Sequence, residues 1–97
     1  MKTVVWNNSA LLDYHEIIDY LLSRWSEKEA LIFIGDVEFV IYNLQKGNVE
    51  FKESGYRNIK QCILRKQITL YYKHLGSNKI ELLRFWNNSQ DHKNLKL

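Results

Sequence analysis

The chain has a single cysteine, Cys62, so it contains neither an internal disulfide nor a cysteine-cluster zinc site. Cys62 lies in a predicted strand with no catalytic cue beside it, and reads as a small buried hydrophobe rather than a nucleophile. No opening apolar stretch resembles a signal peptide or a membrane span, so a cytoplasmic location and no membrane partner are expected. His15 has no partner at metal-ligand spacing, and no metal or cofactor is expected. Glu16, Asp19, Asp36 and Glu38 are scattered over helical segments without paired spacing, which makes them solvated faces rather than acid–base groups. There is no internal repeat, low-complexity segment or linker, so residues 1–97 are read as one domain, with 87–97 a short polar tail.

What is present suits one compact core: 45% of the residues are hydrophobic and 13% aromatic. A chain of this length buries only about 60–65% of its unfolded surface, so its stability is marginal and a bound partner adds to it by mass action. The net charge of +3 is unevenly spread. Residues 1–56 carry five Lys/Arg against nine Asp/Glu, whereas residues 57–97 carry nine against two. The basic part points toward an anionic partner, a nucleic acid or an acidic protein surface, unless its cations only guard a solvated strand face against aggregation.

Thr3-Val4-Val5-Trp6 is a short β-prone run, and Asn7-Asn8-Ser9 then offers helix caps. Ala10, Tyr14, Ile17, Ile18, Leu21 and Trp25 follow at three- and four-residue spacing, the mark of an amphipathic helix. Trp25 is expected to reach the shared core, so that Trp25→Ala costs about 3–5 kcal/mol. Ser26-Glu27-Lys28-Glu29 is a capping box that starts a second helix. That helix carries Ala30, Phe33, Val37, Ile41 and Leu44, widened by Ile34 and Val40, and ends at Lys46-Gly47-Asn48. The two helices form an antiparallel hairpin. Residues 47–58 are an irregular connection in which Val49 and Phe51 pin the loop to the core.

Three runs rich in β-branched and aromatic residues close the pattern: Ile59–Arg65, Ile68–Leu75 and Lys79–Trp86, separated by Lys66-Gln67 and by Gly76-Ser77-Asn78. They read as an antiparallel meander. Alternation puts Ile68, Leu70 and Tyr72 on one face of the middle run and Thr69, Tyr71 and Lys73 on the other, with His74 on the side of Leu70 and Tyr72. In the last run Arg84 shares parity with Ile80, Leu82 and Trp86, which suits an arginine at the sheet margin bound to a carboxylate. The expected architecture is α+β: a short N-terminal strand and a helix hairpin packed on an antiparallel sheet, whose second, cationic face is left open for a macromolecule.

This ordered set resembles the RelE/ParE superfamily of bacterial type II toxins, and within it the ParE-like group. The resemblance rests on Ala10, Tyr20 and Trp25-Ser26, on Phe33 and Leu44, on Ile59-Lys60 and Leu70-Tyr71-Tyr72, and on Ile80-Glu81-Leu82-Leu83-Arg84-Phe85-Trp86. It covers nearly the whole chain. After Trp86, relatives often carry an acidic residue, an arginine, a glutamine and a proline. Here Ser89 stands at the arginine position and His92 at the proline position, while Gln90 and Leu95 fit.

The resemblance implies a growth-arresting protein of a plasmid-stabilising kind, held harmless by a cognate antitoxin. Its leading form is a ParE-like toxin that binds a macromolecular target, possibly DNA gyrase, with Tyr71, Lys73, Arg84, Gln90 and His92 as contacts to the target or the antitoxin. The alternative is a RelE-like endoribonuclease that cleaves messenger RNA on the ribosome. That chemistry must deprotonate a 2′-hydroxyl, neutralise a phosphate and protonate a leaving oxygen, and Lys60, Arg65, Lys73 and Arg84 are its candidates. A third reading is an inactive relative kept as a binding module.

Overall fold

The computed structural model describes residues 1–47, 49–65 and 67–97. The expected helix stop at Asn48 and the strand step at Lys66 lie outside the described residues. The elements are β1 (Thr3–Trp6), α1 (Asn8–Arg24), α2 (Glu27–Lys46), β2 (Lys60–Leu64), β3 (Ile68–Leu75), β4 (Lys79–Asn87) and a 3₁₀ turn at His92–Asn94.

Local chemistry sets the boundaries. The Asn7 side chain caps α1 by accepting the Ala10 N–H at 2.8 Å. Ser26 Oγ caps α2 by accepting the Glu29 N–H at 3.2 Å, the forward bond of the expected box, and Glu27 and Glu29 complement the helix dipole in its first turn. Gly47 ends α2 in the left-handed region, φ +71°, with its N–H donated to the Leu44 carbonyl at 3.1 Å.

The three C-terminal strands form the antiparallel meander, and β1 lies parallel to β4, giving the order β1-β4-β3-β2. The sheet is therefore mixed. A parallel neighbour needs a crossover, and the helix hairpin is part of it. The helices cover one face of the sheet, and between the layers lie Ala10, Phe33, Val37, Val40, Leu44, Leu70, Tyr72, Ile80, Leu82 and Phe85. Phe51 pins the 49–59 connection: its N–H donates to the Tyr72 hydroxyl at 3.3 Å and its ring meets that tyrosine edge-on at 6.3 Å. Val49 is exposed and takes no part in this.

Two further expectations change. Trp25 is 67% exposed and does not enter the core. It follows the last helical residue of α1 as the cap, at φ −122° and ψ −100°, so the helical period no longer aims its side chain. In β4 the register slips between Tyr71 and Tyr72, leaving Leu83 as an extra residue. Ile80 and Leu82 face the helices, whereas beyond the bulge Phe85 takes that face and Trp86 joins Leu83 and Tyr71 on the other. Strict alternation had put Trp86 with Ile80 and Leu82.

Candidate functional site: an open groove and a covered sheet face

The bulge fixes the Arg84 side chain at the margin of the sheet. β1 pairs with β4 only as far as Leu82, so the next stretch of β4 has an open edge. Asp13, from α1, fills it: Oδ2 accepts Arg84 Nε at 2.7 Å and the Phe85 N–H at 3.0 Å, and Oδ1 accepts Arg84 Nη2 at 3.0 Å. Both side chains are largely buried, and the carboxylate raises the guanidinium's already high pKa. The expected carboxylate partner of Arg84 is thus present.

Above this pair opens a groove of 660 Å³ between the helix hairpin and the end of the sheet. Its lining includes Ile17, Leu21, Phe33 and Phe85 together with the Asp13–Arg84 pair, and Tyr20, Trp25, Arg65, Gln67 and Gln90 also border it. Tyr20 and Trp25 are both more than half exposed. Apolar surface with a few placed polar groups and exposed aromatic rings is the make-up of a binding groove.

The four cations considered for RNA cleavage are not brought together. Lys60 bonds Glu53 at 2.5 Å and lies 3.5 Å from Glu50, which also meets His74 at 3.1 Å. Arg65 bonds Asp36 of α2 at 2.6 Å, Lys73 faces Glu81 across the strands at 3.7 Å, and Arg84 holds Asp13. Arg65 and Arg84 border the groove, whereas Lys60 and Lys73 border a depression elsewhere on the molecule, with Arg57 and His74. Three of these pairings join the acidic N-terminal part to the basic C-terminal part, so three of the nine cations of residues 57–97 are met by acids from the other part of the chain.

The second face of the sheet is not left open. The segment after β4 folds back across it, and Leu95 is buried against Tyr71, Leu83 and Trp86. Asp91 caps the 3₁₀ turn by accepting the Lys93 N–H at 2.9 Å, and Arg84 Nη1 donates to the Lys96 carbonyl at 3.4 Å. Tyr71 is 3% exposed, meets Tyr56 edge-on at 6.0 Å, and has its phenol pKa raised chiefly by burial. It is packed, as Tyr72 is on the opposite face. The expected contact residues are accordingly dispersed: Tyr71 beneath the tail, Lys73 beside Glu81, Arg84 and Gln90 at the groove, and His92 exposed on the tail with its ring 6.2 Å from that of Trp86.

Asp13 and the groove are what sequence reasoning missed. By sequence Asp13 is one more polar residue of the α1 segment, and nothing local marks it as the residue that completes a strand edge. The bulge did leave a trace, because the doublet Leu82-Leu83 breaks the alternation of apolar residues.

No family model matches the sequence, and no curated protein matches it. Solved structures do. A structure described as a chromosomal ParDE toxin–antitoxin system from P. aeruginosa superposes with a TM-score of 0.73 at 18% identity, covering 90% of this chain and 96% of that one. A copper-bound mutant toxin from Helicobacter pylori gives 0.66 at 17% identity, covering 92% and 97%. The E. coli DinJ-YafQ complex gives 0.61 at 9% identity, covering 92% and 96%. This chain shares its α+β fold with these structures. Among the described residues no helix is long and apolar enough to cross a membrane.

Proposed function

We propose that this chain is the toxin of a type II toxin–antitoxin pair, that it arrests growth by binding a macromolecular target, and that an antitoxin segment seated in the groove beside Trp25 silences it. The observation that carries binding over cleavage is the fate of the four cations. RNA cleavage needs uncommitted charge converging on one phosphate. Here Lys60, Arg65, Lys73 and Arg84 are each held by a carboxylate of the same chain, two at one site and two at another. The higher TM-score to the ParDE structure, 0.73 against 0.61 for the DinJ-YafQ complex, supports the ParE-like form, and DNA gyrase is the first target to assay.

The nuclease reading keeps one support, the depression bordered by Arg57, Lys60, Lys73 and His74. Induced expression with sequencing of RNA 5′ ends separates the two. The proposal expects arrest without new messenger ends, relieved by co-expressing the antitoxin, and inhibition of gyrase supercoiling in vitro if gyrase is the target. Discrete ribosome-dependent cuts would transfer the case to the nuclease, and folded protein without any growth effect would leave only a binding module.

A further inference from the structure

Helix α2 carries a second apolar stripe, on the side away from the sheet. Leu31, Phe39 and Tyr42 are 59%, 69% and 50% exposed. At 100° per residue, Lys28, Leu31, Gly35, Phe39 and Tyr42 fall within an arc of about 80°, centred opposite the buried set of Ala30, Phe33, Val37, Val40 and Leu44. Gly35 sits at the centre of the stripe. A glycine inside a helix weakens it relative to alanine, and here the chain has no use for the missing side chain, since a Cβ at Gly35 would meet nothing within 4 Å. The molecule alone explains neither the exposed aromatic rings nor the glycine between them.

The spacing of the stripe says what covers it. Counted from Gly35, the positions are −7, −4, 0, +4 and +7, the same in either direction. Two such helices laid antiparallel about a two-fold axis at Gly35 bring Leu31 of each opposite Phe39 of the other, and Lys28 opposite Tyr42. The glycines meet at the axis, where the absence of side chains lets the backbones approach. The charges at the ends of the stripe oppose the pairing, since Lys46 Nζ already stands over the Tyr42 ring at 5.2 Å where Lys28 of the other copy arrives, so the apolar centre of Leu31, Gly35 and Phe39 carries the contact. We propose that this face of α2 is an isologous interface for a second copy of the chain, independent of whether the chain is a toxin. A single pair of helices about 30 Å long buries less than the roughly 800 Å² per partner of a standard interface, so the dimer is reversible and depends on concentration.

Sedimentation of the isolated chain, with site-directed crosslinking in a Cys62→Ala background, tests this. The 11.7 kDa chain should reach twice its mass as concentration rises, while Phe39→Glu and Gly35→Leu stay monomeric with unchanged circular dichroism. Under oxidation Gly35→Cys should link to itself, and Lys28→Cys should link to Tyr42→Cys at least tenfold faster than to itself, because two copies of position 28 lie about 21 Å apart along antiparallel helices. A monomer at every concentration, efficient Lys28→Cys self-linking, or a dimer untouched by Phe39→Glu would overturn the proposal. Loss of antitoxin binding by Phe39→Glu with self-association intact would assign the face to the antitoxin instead.

Discussion

Asp13 and Arg84, 71 residues apart in the chain, are joined at 2.7 and 3.0 Å, and the same carboxylate also takes the Phe85 N–H. One aspartate thereby neutralises a largely buried cation and finishes a strand edge that β1 is too short to reach. Asp13→Ala leaves the guanidinium without a counter-charge and the Phe85 N–H without its acceptor, and should cost about 2–4 kcal/mol in urea denaturation. Arg84→Met in the Asp13→Ala background should recover part of that loss. A cost equal to that of an exposed pair would show that the edge is satisfied by water.

Trp25 separates folding from binding. With the ring 67% exposed, Trp25→Ala should change stability by less than about 1 kcal/mol, not by the 3–5 kcal/mol expected of a core residue. Affinity for the antitoxin proposed to sit in the groove should fall at least about tenfold, as for an aromatic anchor at the mouth of a groove. Calorimetric titration of wild type and variant checks both halves.

Lys60, Arg65 and Lys73 should each be dispensable for growth arrest when replaced by alanine, because their surface ion pairs contribute little to stability. Arg84→Ala should lower the amount of folded protein through the loss of Asp13's partner. Arrest that disappears with Lys60→Ala or Lys73→Ala, in protein that is still folded, would point to chemistry at the depression those two share.

Burial pushes the Cys62 thiol up to about 11 from its ordinary 9.0. Between those values the unfolded chain releases a proton that the folded chain keeps, so this residue lowers stability as pH rises from 9 to 11, by about 2–3 kcal/mol in all. Cys62→Ala should flatten that slope in denaturation curves. At pH 8 a thiol reagent should modify wild type only as fast as the sheet opens.

Leu95→Ala should cost about 2 kcal/mol and raise hydrogen exchange in residues 91–97 while leaving the β3–β4 ladder protected. Equal exchange in both would mean that tail and sheet open as one unit.

Much of this fold was legible because its signals are local. Asn7 and Ser26 mark helix starts, Gly47 marks a stop, and Ile68, Leu70 and Tyr72 alternate without interruption, so the order of the elements, the hairpin and the meander all follow from neighbouring residues. The misreadings occur where a single residue departs from a period. Leu83 shifts β4 by one position and carries Trp86 to the opposite face, and Trp25 stands just past the end of its helix. The site was less legible still. The cations of the C-terminal part were visible, but their carboxylates lie in distant segments, and it is the tertiary fold that brings Asp36 to Arg65 and Asp13 to Arg84. Leu95, one apolar residue in a polar tail, gave little sign that it would close a sheet face.

The parallel pairing of β1 with β4 has a consequence for synthesis. Among the described strands β1 is made before the others and has its only neighbour in β4, made after them, so this sheet closes only once β2 and β3 already exist. Until then the nascent hairpin displays Ala10, Phe33, Val37 and Leu44 to water, a sticky amphipathic intermediate open to chaperones and proteases before the sheet covers it.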